Sequence, residues 1–420
     1  MARRALRADE AAHLRRIVGA YLAFQVFTSA NFFWPIFVVY YQRFGRLELS
    51  AILGLQAFYT AVRVALDVPL GLLADRFGRR PALVGSAALL AAGCAVIVSD
   101  SSLVTFYVAE LLFAGAVAAQ SGADSALLFD SLARFGQEED YLQVEGRAQS
   151  FAAFASAASA LASGLLIEIW LPLPYLLTLI AASASLVAAT LLDEPARRAA
   201  APQRALGLAR HALREVLGSP AVLWLVALSA LLIVLSHVVF YLQQPYLEWI
   251  GVPVWLFGAV VAGTKLVHGA VARRAGAIEA RLSAGRMPAF LVVAGLSPVA
   301  LMAVVAWPVG AVFVLLRGVA DGLLAPVLNF YLNRLVADRT RASVLSIASF
   351  VAHAAQAAVL AGFAALLVHV SLAGTLRLAA FAGAVLGALL LAVPRRSRRA
   401  ATLGPSLSSP GSLRTRDADR

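Results

Sequence analysis

The chain has 420 residues, 61% of them hydrophobic and 14% charged, with a net charge of +12 and a mean hydropathy of +0.81. Soluble domains are about 45–50% apolar, so a soluble globular protein is excluded, and the basic excess, which is Arg apart from Lys265 and sits in short segments between apolar runs, reads as membrane topology rather than nucleic-acid binding. A single cysteine, Cys94, excludes an intrachain disulfide and a cysteine-based zinc or haem site.

A helix needs about 20 apolar residues to cross the hydrocarbon core. Runs of that kind occur at 17–41, 49–73, 81–99, 103–128, 148–169, 172–192, 220–242, 252–271, 287–307, 309–332, 342–368 and 373–393. The expected fold is an all-α polytopic membrane protein of twelve transmembrane helices in two six-helix bundles, 17–192 and 220–393. Residues 1–16 form a basic cytoplasmic N-terminus, and the run that follows is too long for the apolar part of a signal peptide, so it is read as an uncleaved first span.

Between the second and third spans lies Gly71-Leu-Leu-Ala-Asp-Arg-Phe-Gly-Arg-Arg-Pro81. A loop of about seven residues, 74–80, with Asp75, Arg76, Arg79 and Arg80 charged, cannot cross a bilayer, so the two spans are expected to form a hairpin with a cationic tip. The connection 193–219, with Arg197, Arg198, Arg204, Arg210 and Arg214, divides the chain six plus six. Its stretch Arg204 to Leu217 suits a helix on an anionic inner leaflet. The tail 394–420 lacks periodicity and is expected to be disordered.

Positive residues collect in cytoplasmic loops. On the side of the termini the connections hold twenty-nine Lys and Arg, and on the other side only Arg43 and Arg46. Both termini are therefore placed in the cytoplasm. A shift of 198 residues lays Gly71–Gly78 on Gly269–Gly276, matching both glycines, Ala74 with Ala272 and Arg76 with Arg274, and puts Arg273 where Asp75 stands.

The twelve spans, the central basic loop and the Gly71–Pro81 stretch resemble the major facilitator superfamily of secondary transporters. That family's loop pattern, roughly Gly-x-Leu-Ala-Asp-Arg-x-Gly-Arg-Arg, is met at Gly71, Leu73, Ala74, Asp75, Arg76, Gly78, Arg79 and Arg80. Ser121 to Leu132, Gly146-Arg147, Tyr331 to Leu335 and Arg341 to Ser346 are also similar to bacterial members, and the resemblance spans about residues 15–393. It implies alternating access, with Asp75 latching against the start of the eleventh helix, where the helix dipole favours a carboxylate. Two features depart from the family's antiporters: the fourth span has Glu110 and Gly115 but no Arg, and the fifth has no Gly-Pro.

Ionisable residues inside spans are functional candidates because burying them is costly. Arg63 and Asp67 on the second span, and Arg317 and Asp321 on the tenth, are spaced i, i+4. Each pair can neutralise itself or serve substrate or proton. Glu110 and Asp124 are placed on one fourth span, within about 40° of one face and roughly 21 Å apart. Either could couple protons, and Asp124 could instead bridge to Lys265 or Arg147. Gln25 and Asn31 are candidate cavity groups on the first span. His237, His268 and His353 have no metal-ligand spacing, and no nucleotide loop, His-Glu-x-x-His or Gly-x-Ser-x-Gly occurs.

The expectation is a monomeric multi-pass transporter of the inner (plasma) membrane, not an enzyme, without cofactor or metal. It would move an anionic or zwitterionic small molecule with proton coupling. Two alternatives are an efflux pump for amphipathic compounds and, in another class, a non-transporting membrane sensor or intramembrane enzyme.

Overall fold

In the computed structural model, residues 7–194, 202–336 and 340–393 are described. The expected disordered tail, Arg197 and Arg198 of the central loop, and residues 1–6 lie outside them. Apart from short 3₁₀ turns, the regular structure of the described residues is α-helical. Eleven stretches among them are long and apolar enough to cross a membrane.

The first apolar run is not one helix. α1 (Ala8–Ser29) stops before a turn, and α2 (Phe37–Arg43) resumes after it. Pro35 has no N–H to continue the ladder and disfavours the helical conformation at Trp34. Asn31 Oδ1 accepts from Trp34 N at 3.2 Å, and Thr178 Oγ1 accepts from Phe32 N at 3.0 Å, so side chains satisfy amides that a helix would have used.

The expected seven-residue loop after the second span is also absent. α3 (Leu49–Phe77) runs on through Asp75 and Arg76, and α4 begins at Arg79 (Arg79–Ile97). Gly78 alone separates them, at φ 123° and ψ 150°, a conformation essentially reserved for glycine. At the other end of α4, the exposed Asp100 carboxyl is held below its usual range, chiefly by the Ser102 hydroxyl and then by the amides of Ser101 and Ser102.

The fourth span is two helices, α5 (Leu103–Gln120) and α6 (Ala123–Arg134), joined at Gly122 in the left-handed region (φ 72°). The shared face expected for Glu110 and Asp124 assumed one unbroken helix and is not realised. α7 (Tyr141–Ile169) begins earlier than the apolar run, and α8 (Leu173–Thr190) follows. Within the central connection lies α9 (Pro202–Gly218), where the basic helix was expected.

The second half holds α10 (Pro220–Trp249), α11 (Phe257–Ala272), α12 (Ala275–Val304), α13 (Ala311–Leu315), α14 (Arg317–Leu335), α15 (Arg341–Leu366) and α16 (Leu372–Ala392). The connection read over 272–286 shortens to Arg273 and Arg274, because α12 absorbs the rest. Arg317 opens α14 rather than sitting mid-helix.

The chain forms two compact units. One comprises 1–199 with 251–262 and 360–368; the other holds 200–250, 263–359 and 369–420. In the first, Ile17, Tyr21 and Phe24 of α1 pack with Leu83, Leu127, Leu132 and Ala189. There, too, α7 meets the start of α11 at glycines. A Cβ on Gly164 would lie 2.7 Å from the carbonyl oxygens of Val254 and Trp255, and one on Gly258 would run into the Ala160 carbonyl. Small residues permit this backbone approach between membrane helices. In the second unit, Val222, Leu225 and Leu228 of α10 pack with Met287, Leu291, Leu323, Val327 and Tyr331.

Candidate functional site

Three polar constellations are built into these units. The first surrounds the Gly78 corner. Glu194, just beyond α8, accepts from the backbone amides of Arg79 (Oε1, 3.0 Å) and Arg80 (Oε2, 2.7 Å). Its carboxylate caps the first turn of α4, where free amides and the helix dipole favour negative charge. Arg79 Nη1 donates to Asp130 Oδ2 of α6 at 2.5 Å, and Arg80 Nη2 donates to the Thr190 carbonyl at 2.7 Å. Asp193 pairs with His13 Nε2 of α1 (2.5 Å) and Arg134 Nη1 of α6 (3.4 Å). The corner is thus tied to α1, α6 and the end of α8. Asp75 and Arg76 lie exposed on the last turn of α3, whereas Gly71 lies within that helix with open space where a Cβ would be.

The second constellation comprises carboxylates of the first unit, of which Glu110 is buried and Asp124 half-buried. Glu110 is 3% exposed. Its Oε1 accepts from Tyr41 Oη at 2.6 Å and from Gln56 Nε2 at 2.5 Å. Asp124 is held separately: Oδ2 accepts from Gln25 Nε2 (3.1 Å) and Gln120 Nε2 (3.3 Å), and Oδ1 accepts from Ser125 N (2.7 Å). Gln25 Nε2 also donates to Tyr21 Oη (2.9 Å), which donates to Glu145 Oε2 (2.8 Å). Two carboxylates of different helices are therefore linked through one tyrosine and one amide of α1. Among the described residues no ion pair joins Asp124 to Arg147; neutral donors fill that place.

The two i, i+4 pairs behave differently. Arg317 Nε lies 3.1 Å from Asp321 Oδ2, and Ser236 Oγ of α10 bridges them, donating to Asp321 Oδ1 (2.5 Å) and accepting from Arg317 Nε (3.1 Å). Arg317 also stacks over the Phe240 ring, 5.0 Å from its centroid. Among the described residues no such bridge joins Arg63 to Asp67. Both are half-buried, and Arg63 Nε and Asp67 Oδ1 are enclosed without a hydrogen-bond partner. Self-neutralisation therefore occurs on α14 and not on α3.

His237 and His353 each use Nδ1 on a backbone carbonyl of their own helix, both at 2.8 Å. No group of three metal-ligating side chains occurs among the described residues. Glu194, Asp193, Tyr21, Glu145, Ser236, Tyr41 and Gln56 were not singled out from sequence. Only Asp193-Glu194-Pro195, just after the sixth run, carries a local signal, an acidic pair opening a mainly basic loop.

The sequence profile of the Major Facilitator Superfamily matches residues 19–359. The chain belongs to that superfamily. Solved structures similar to this superfamily member share its fold at low identity. They include the nucleoside transporter NupG, at 14% identity and a TM-score of 0.70 over 91% of this chain and 98% of that one. A POT family transporter in complex with 5-aminolevulinic acid aligns at 12% and 0.66, over 93% and 96%. A bacterial homolog of the human lysosomal transporter Spinster aligns at 12% and 0.62, over 96% of each chain. No curated protein sequence matches the chain. Family and fold identify a multi-pass membrane transporter rather than an enzyme, which removes the intramembrane-enzyme alternative.

Proposed function

We propose that the chain is a monomeric secondary transporter of the plasma membrane that moves a small anionic or zwitterionic solute, coupled to protons, by alternating access. In this reading the interrupted pair α1 and α2 supplies a twelfth span, both termini are cytoplasmic, and 17–192 and 220–393 are the working bundles. The observation that carries the substrate class is that no bridge joins Arg63 to Asp67, whose Nε and Oδ1 are enclosed without a partner. Opposite charges within a spanning helix are costly unless compensated. These two lie one turn apart and do not compensate each other, so a solute bearing a carboxylate, or a carboxylate and an ammonium, satisfies what the helix leaves open.

Arg317, Asp321 and Ser236 already satisfy one another and suit a coupling role, in which protonation of Asp321 would release Arg317. Glu110 and Asp124, held only by neutral donors, are the candidate proton carriers of the first unit, with Gln25 positioning Asp124 and Asn31 shaping the turn between α1 and α2. Asp75 acts as the latch that the family resemblance implies. The Gly78 corner, fixed by Glu194 and Asp130, holds the end of α3 in place for it.

The test is uptake by proteoliposomes under an imposed pH gradient, across a panel of amino acids, carboxylates, nucleosides and cationic dyes. The expected result is accumulation of at least one anionic or zwitterionic solute, abolished by a protonophore. Accumulation confined to cationic or neutral solutes, or of none, would overturn the reading.

A further inference from the structure

We propose that the transported solute carries a planar aromatic or heteroaromatic ring, and that this ring enters a pocket beside the break in the first span while the charged group meets Arg63 and Asp67. This inference rests on the transport reading above and narrows its substrate class.

The pocket lies wholly within the first unit and has a volume of about 210 Å³. Its walls include Phe33, Trp34, Tyr59 and Phe113, with Thr28 and Asn31 among its polar groups and no Asp, Glu, Lys, Arg or His. Whole drug-sized ligands occupy clefts of roughly 300 Å³ or more, so this one takes a ring rather than a large amphipathic molecule. Aromatic walls favour a planar guest, which they contact face to face or edge to face.

Thr28 Oγ1 is enclosed and has no hydrogen-bond partner. A buried hydroxyl left unmatched costs free energy that a ring N–H or O–H, or a ring acceptor, recovers. The same pocket therefore offers aromatic walls and one unused hydroxyl, with no charge to pair.

The rings of these walls brace one another. The turn that replaces helix at Asn31–Trp34 projects two aromatics. Phe33 stacks on Tyr175 (4.6 Å, 8° between planes) and on Phe113 (5.1 Å, 25°), while Trp34 meets Tyr59 edge-on (6.3 Å, 74°). Phe113 can occupy its position because residue 93 on α4 is glycine; a Cβ there would lie 2.5 Å from the Phe113 ring.

Tyr59 ties the pocket to the charges. It stands one helical turn, about 6 Å of rise, before Arg63 on α3, and Asp67 follows one turn later. A ring seated against Tyr59 thus carries its substituent along the stripe that ends in the two uncompensated groups. An aryl carboxylate or an aromatic zwitterion fits both halves, whereas a small aliphatic amino acid fills only one.

The test uses the full-length protein in detergent, with thermal unfolding and equilibrium binding read for four probes: L-tryptophan, indole-3-acetate, indole and L-alanine. Ligands that bind the folded state raise its melting temperature. L-Tryptophan or indole-3-acetate should raise it more than indole, which lacks the charge, and more than L-alanine, which lacks the ring. Thr28→Val and Arg63→Gln should each weaken the better probe by about ten-fold, and unfolding without ligand verifies that each variant is folded. A shift from L-alanine or indole equal to that from the aromatic acids, or wild-type affinity in both variants, would overturn the proposal. If the uptake panel finds an accumulated aliphatic solute while the aromatic probes leave the melting temperature unchanged, the pocket assignment falls and the transport reading stands. If no solute moves, the transport reading itself falls and takes the assignment with it.

Discussion

Glu110 illustrates how much of a buried carboxylate's environment is set by groups far away in sequence. Tyr41 and Gln56 point their donors at one of its oxygens, and an acceptor must remain there or both donors lose a partner. Glu110→Gln keeps an acceptor and should change stability by no more than about 1 kcal/mol, whereas Glu110→Ala strands two buried donors and should cost roughly 2–4 kcal/mol. Chemical denaturation of the two variants in the same detergent measures the difference. Sequence reading could find Glu110, because a charge in an apolar run is conspicuous. It could not find its partners, since tyrosine and glutamine at 41 and 56 carry no local mark. The same limit hid Glu194, whose function depends on α8 ending beside the first turn of α4. The absence of a bridge at Arg63 was equally illegible: its spacing to Asp67 equals that of Arg317 to Asp321, yet only the second pair closes directly, with Ser236 of another helix bonded to both groups.

Helices show the converse. Their existence follows from apolar length, and all but the first of the expected runs are represented among the eleven apolar stretches. Their interruptions were missed because each depends on a local choice that hydropathy does not register, such as Pro35 with the Asn31 side chain or a single glycine in the left-handed region. The glycines of the Gly71–Pro81 stretch look alike in sequence and differ physically. Gly78 adopts φ 123°, and a Cβ there would sit 2.9 Å from a Glu194 carboxylate oxygen; Gly71 is helical with nothing within 4 Å. Gly78→Ala should therefore destabilise the protein by about 1–3 kcal/mol, while Gly71→Ala should be neutral or stabilise it by up to about 1 kcal/mol through helix propensity. Paired melting curves decide this, and equal effects would contradict the assignment of the pivot to Gly78.

At the scale of the whole molecule, the distribution of arginine agrees with a polytopic chain and the family profile with a transporter, and the polar groups differ in how far they are satisfied. One corner is locked by capping and ion pairs, one pair on α14 is internally satisfied, and one pair on α3 is left open. Function on this account depends on the open pair and on Asp75 at the end of the same helix. The most direct measurement is proton-gradient-driven uptake of the accumulated solute by proteoliposomes containing wild type, Arg63→Gln or Asp75→Asn, each reconstituted in equal amount. The account predicts accumulation by wild type, its loss in Arg63→Gln, and slowed uptake in Asp75→Asn with normal membrane insertion. Accumulation at the wild-type rate in both variants would contradict it.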